Sequence, residues 1–209
     1  MRQTETALRE TAVTPQWFDA RIRRAAASFD RLRRDEVTAG LLRAAEELAQ
    51  SLVFGGTVYW CGNGGSAGDS QHLAAELVGR FGRPGRGWPS VALTADSSVL
   101  TAAGNDFGFS TVFERQVQAL VRPGDVVVGI STSGCSQNVI AAIKAAQIKG
   151  AFTVALTGPG DSPLAGAAAL AIRAPGETTS DIQTCHIAIG HMLCEAGIEL
   201  AESWEERDV

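Results

Sequence analysis

Five short, continuously apolar segments alternate along the chain with stretches of helical periodicity, and no other feature restricts the fold as tightly. The apolar segments are 57–61, 91–93, 126–130, 152–156 and 169–172. None shows the in-out alternation of a strand with one wet face. A strand that is apolar on both sides must be covered on both sides, which is the condition of a parallel sheet sandwiched by helices. Helical patterns at 67–80, 97–103, 111–120, 137–149 and 180–202 supply that cover. The alternation predicts a layered α/β domain, with small separate α+β units as the competing arrangement. Ligands of such sheets bind beyond the carboxyl ends of the strands. Two loops rich in small residues, after Cys61 and after Ile130, fall there.

A helical region precedes the first strand. Trp17, Ile22, Ala25, Phe29 and Leu32 recur at helical spacing, followed by Val37, Leu41, Leu42, Ala45, Leu48 and Leu52. The 33–35 region divides the run into two helices, and Thr14 with Pro15 reads as a cap and first-turn pair. Residues 1–54 therefore form a helical extension packed on the core or on a partner subunit, and residues 55–209 form the α/β domain. A chain of 209 residues suits one domain with such an extension.

Charge and cysteine usage narrow the function classes. Lys and Arg total 18 against 23 Asp and Glu, a net charge of -5, which argues against a nucleic-acid partner. No apolar run approaches the roughly 20 residues of a membrane span, and the first ten residues lack the apolar stretch of a signal peptide. The expectation is a soluble cytoplasmic protein with no membrane partner. Cys61, Cys135, Cys185 and Cys194 are widely spaced and form no CxxC pair, which excludes a zinc knot or disulfide framework.

The loop Ser131-Thr132-Ser133-Gly134-Cys135-Ser136 runs from a buried-type strand into a helix. Hydroxyls and first-turn amides at a helix start can surround a phosphate, and the helix dipole favours its charge. Gly134 permits a positive φ or a close backbone approach. The plainer reading is that Ser133 or Ser136 caps the helix. The loop Gly62-Asn63-Gly64-Gly65-Ser66 has the same placement but is not GxGxxG. It also lacks the acidic residue expected about 20 positions on, and no GxxxxGK[ST] is present, which argues against dinucleotide or ATP binding.

His72 and Glu76 are four apart on one helix, and Gln183 and His191 share nearly one face of another. Histidine and carboxylate suit zinc or a similar divalent ion, with the Gln183 oxygen as a weaker ligand. The same groups can move protons. A surface helix pair and a core histidine are the alternatives. Asn105 and Asp106 would bind sugar hydroxyls or simply form a turn, and Asp96 with Ser97 reads as a helix cap.

These motifs together carry a resemblance. The segments CGNGGSAGDSQHLAAELVGRF at 61–81, AAGNDFG at 102–108, GDVVVGISTSGCSQNVIAAIKAA at 124–146 and IQTCHIAIGHMLCE at 182–195 resemble the bacterial phosphoheptose isomerases, also called sedoheptulose 7-phosphate isomerases, of the sugar-isomerase (SIS) domain family. The resemblance implies a three-layer α/β domain with a five-stranded parallel sheet between helices, preceded by N-terminal helices. It also implies a homotetramer, a phosphorylated seven-carbon sugar as partner, and one zinc per subunit site. By motif, His72, Glu76, Gln183 and His191 would hold the metal. Ser131, Thr132, Ser133 and Ser136 would hold the phosphate, and Asn63, Gly64, Gly65, Asn105 and Asp106 the sugar, with Glu76 and Gln183 also touching it. Glu76 and His191 would be the acid/base pair for interconverting D-sedoheptulose 7-phosphate and D-glycero-D-manno-heptose 7-phosphate through an enediol. A noncatalytic relative that binds sugar phosphate or the replication initiator is the rival, and the presence of both Glu76 and His191 favours the enzyme. Asp181 and Thr184 depart from the arginine and glutamate common there, so Asp181 is expected to alter phosphate affinity or subunit contacts.

Overall fold

The computed structural model describes residues 13–79 and 85–207. Helix α1 (Pro15–Asp30) starts where the Thr14 hydroxyl accepts the Trp17 N–H, with Pro15 in the first turn. A 3-10 turn (Arg31–Arg33) separates it from α2 (Asp35–Val53), where the apolar pattern predicts the break. There follow β1 (Val58–Gly62), α3 (Gly65–Val78), β2 (Ser90–Ala92), α4 (Ser97–Phe107), a second 3-10 turn (Phe109–Thr111) and α5 (Val112–Leu120). The chain continues through β3 (Val126–Ser131), α6 (Gln137–Ile148), β4 (Phe152–Thr157), α7 (Pro163–Ala167), β5 (Leu170–Arg173) and α8 (Thr179–Arg207).

All five expected strands form. The sheet is parallel throughout in the order β2-β1-β3-β4-β5. Helices cover both faces, giving the expected three layers. Alternate strand residues go to opposite sides. Val58, Trp60, Val126, Val128, Val154 and Leu156 pack with α2, α3 and α8 through Leu48, Leu52, Leu73, Leu77, Ile189 and Leu193. Tyr59, Cys61, Val127 and Ala155 pack with α5 and α6 through Val112, Phe113, Val117, Val139 and Ile143. Each such buried side chain contributes about 1.5–3 kcal/mol of hydrophobic free energy.

Three details differ from the sequence reading. Helix α4 runs through Phe107, so Asn105 and Asp106 lie on its last turn instead of in a loop. The short helix α7 was not expected: five residues carry too little periodicity to register, although the Ser162 hydroxyl caps it and Pro163 starts it. Helix α8 extends to Arg207. The expected end of the third helix at residue 80 and the reading of the first ten residues lie outside the described residues.

Asp181 has a structural occupation. Its carboxylate accepts from the Thr178 N–H at 3.1 Å and hydroxyl at 2.8 Å, and it pairs with Arg24 of α1 at 2.8 Å. Burial alone raises its pKa, but the Thr178 hydroxyl, Arg24 and the Thr178 N–H outweigh it and hold the carboxyl below its usual range. The residue clasps α1 to the start of α8.

Candidate active site

The strand order reverses direction between β1 and β3, since β1 leads to β2 on one side and β3 to β4 on the other. Loops that diverge at such a point leave a crevice for ligands. Both small-residue loops border it, because β1 and β3 pair in register up to Gly62 opposite Ile130.

In the 131–136 loop the hydroxyls converge. Ser131 Oγ lies 3.0 Å from Ser136 Oγ and 3.5 Å from Ser133 Oγ, and Ser133 Oγ accepts the Cys135 N–H at 3.2 Å. Ser136 occupies the N-cap position of α6, yet its side chain makes no capping bond and turns to Ser131 instead. The capping explanation therefore fails for Ser136, which leaves the positive end of α6 without a cap from that hydroxyl. Gly134 has φ +63°, and a Cβ there would collide with Ser162. Both reasons for glycine at this position hold. Thr132 contributes its carbonyl, which accepts the Gly158 N–H and ties the loop to the end of β4.

Helices α3 and α8 are neighbours on one face of the sheet, and this brings the distant histidines together. His72 Nε2 lies 2.8 Å from His191 Nε2 and 3.1 Å from Glu76 Oε1. Ligand atoms of His72, Glu76 and His191 all fall within 4.8 Å of one another. Close helix approach makes this possible: a Cβ on Gly190 would overlap the fully buried Leu73, so only glycine lets the helices meet beside both histidines. Two imidazole nitrogens and a carboxylate oxygen this close together form a donor set for a divalent ion. Below them lies an apolar floor, where burial, with Glu76 adding, pushes the Cys194 thiol up and keeps it neutral.

Asp69 belongs to this neighbourhood and was not foreseen. Burial raises its carboxyl above the usual range, opposed by the charges of His72 and His191, and its Oδ2 is buried without a hydrogen-bond partner. Asp69, His72 and Glu76 recur at i, i+3 and i+7, so the signal was in the sequence but was read only as far as the histidine–glutamate pair. Gln183 reaches from α8 to the start of α3, its amide packed against Gly65. Asn63 exchanges hydrogen bonds with Asn138 of α6. Gly64 has φ +56° and is the N-cap of α3. Asn105 donates to Asp106 at 2.8 Å on exposed α4 surface, and Asp106 lines a largely apolar groove with Phe107 and Arg115. Asp96 accepts from the Ser98 and Val99 N–H groups, so the helix-cap reading is the right one there.

The SIS domain family matches residues 22–158 of this chain. A phosphoheptose isomerase of Aquifex aeolicus (strain VF5) is 53% identical over 148 residues, covering 71% of this chain and 78% of its own. One from Rhodospirillum rubrum is 50% identical over 163 residues, covering 78% and 87%. Among solved structures, the phosphoheptose isomerase of Neisseria gonorrhoeae superposes with a TM-score of 0.82 at 40% identity, covering 88% of this chain and 98% of that one. With the crevice, the hydroxyl loop and the histidine–glutamate cluster already in place, this likeness assigns the chain to the phosphoheptose isomerases of the SIS domain family.

Proposed function

We propose that the protein interconverts D-sedoheptulose 7-phosphate and D-glycero-D-manno-heptose 7-phosphate. The observation that carries the reading is the meeting of His72, Glu76 and His191, from helices more than a hundred residues apart in sequence. Ser131, Thr132, Ser133 and Ser136 hold the phosphate, and Asn63, Gly64, Gly65, Asn105 and Asp106 shape the sugar end.

His72, Glu76 and His191 form a donor set for a divalent ion; in this reading the ion is zinc, one per subunit, with Gln183 as the fourth ligand. When bound, such an ion stabilises negative charge developing on the sugar oxygens. The protein's own groups move the protons. Glu76, with one oxygen 3.1 Å from His72 Nε2, takes a proton from C1 of the ketose. Once exchanged with solvent on the Glu76 carboxyl, a proton is delivered to C2 while His191 transfers a proton between the C1 and C2 oxygens, so the enediol collapses to the aldose with no net gain or loss. The enzyme works in the cytoplasm as a homotetramer, without nucleic acid. Among the described residues no helix is long and apolar enough to cross a membrane.

Purified protein incubated with sedoheptulose 7-phosphate should form the aldose, lose activity on chelation and recover it with zinc. Glu76→Gln should lower kcat by about 10²–10⁴-fold while the assembly stays intact. Full activity in that variant contradicts the mechanism, and wild-type binding without turnover supports the noncatalytic rival instead.

A further inference from the structure

Asn138 lies in the first turn of α6 and was singled out by no motif, yet among the described residues it makes the one side-chain bridge from the 62–66 loop to the start of α6. Asn63 Nδ2 donates to Asn138 Oδ1 at 2.9 Å, and Asn138 Nδ2 donates back to Asn63 Oδ1 at 2.8 Å. Asn138 is almost fully buried, with 3% of its surface exposed, whereas Asn63 is half-buried and borders the crevice.

A reciprocal amide pair alone does not fix which way either amide faces, because both can flip together. Here a third bond breaks the tie. The Val139 N–H donates to Asn138 Oδ1 at 3.0 Å, so that atom must be the oxygen. Asn138 is thereby fixed by the backbone of α6, and Asn63 is fixed by Asn138. The remaining N–H and lone pair of Asn63 then point in set directions before any ligand arrives. Helix α6 also begins at the hydroxyl loop, so the same residue ties the orientation of the sugar-side amide to the position of the phosphate-side hydroxyls.

We infer that Asn138 is a positioning residue for the isomerase: it presets the Asn63 amide against the sugar and sets its distance from the phosphate loop. This rests on the sugar-phosphate reading above. Pre-set geometry matters because small misplacements of a positioning group cost rate steeply.

A double-mutant cycle tests it. Asn138→Ala and Asn63→Ala are made singly and together, and each is assayed for kcat/KM and for Kd with sedoheptulose 7-phosphate. Inhibition by inorganic phosphate is measured alongside. If Asn138 acts through Asn63, each single variant loses about tenfold in kcat/KM, the double variant loses no more than Asn63→Ala, and the phosphate Ki is unchanged. Additive losses, or a phosphate Ki that rises in step with KM, overturn the inference, because they are what a merely loosened α6 would give. Asn138→Ser can still bond the helix backbone but cannot reach Asn63, and it serves the cycle if the alanine variant folds poorly. A wild-type protein that binds the sugar phosphate without turnover removes the isomerase reading while the cycle remains readable in Kd. One that does neither overturns both.

Discussion

His186, the third histidine, takes no part in the cluster five residues further along α8. It is fully buried, and its Nε2 donates to the Thr157 carbonyl at 3.0 Å while Nδ1 has no partner. Burial lowers its pKa below the usual 6.5, only partly opposed by the bond to Thr157. The unfolded chain therefore binds a proton that the folded chain resists. The stability from this residue is fully present above about pH 6.5 and falls as the pH drops from there through the lowered folded value. Urea midpoints at pH 7.5 and 5.5 should differ more for the wild type than for His186→Gln, which keeps a donor for Thr157 but does not titrate. Equal differences contradict the assignment. A lone histidine in an apolar helix gives no hint from sequence whether it is ligand or staple, since that depends on which neighbour the helix meets. Asp69 was legible by its spacing from His72 and Glu76, but only the fold shows its Oδ2 buried without a partner.

At the scale of elements, the approach of α8 to α3 depends on one missing side chain. A Cβ at Gly190 would press into Leu73, which is sealed from solvent. Gly190→Ala should cost about 1–3 kcal/mol of stability by overpacking and should also separate His72 from His191. Denaturant midpoints and zinc titration read the two effects separately. A variant with wild-type midpoint and zinc affinity contradicts this role. The elements themselves were largely legible, because apolar runs such as 126–130 and 152–156 cannot satisfy both faces outside a covered sheet. The extension of α4 to Phe107 was not legible. Gly104, Asn105 and Asp106 favour turns in isolation, and the tertiary setting overrode that preference.

Across the whole molecule, the site follows from topology. The reversal between β1 and β3 opens the crevice, and the shared sheet face of α3 and α8 brings His72, Glu76 and His191 together. The sequence carried the ligand types and their helical spacing at His72, Glu76 and His191. It carried no distance between elements far apart in the chain, and the Asn63–Asn138 bridge, across 75 residues, was invisible for that reason. Solvent exchange tests the central claim most directly. With sedoheptulose 7-phosphate in heavy water, the wild-type protein should form an aldose carrying deuterium at C2, and Glu76→Gln should form almost none. Aldose produced by Glu76→Gln at the wild-type rate, with the same deuterium content, would contradict the assignment of Glu76 as the base.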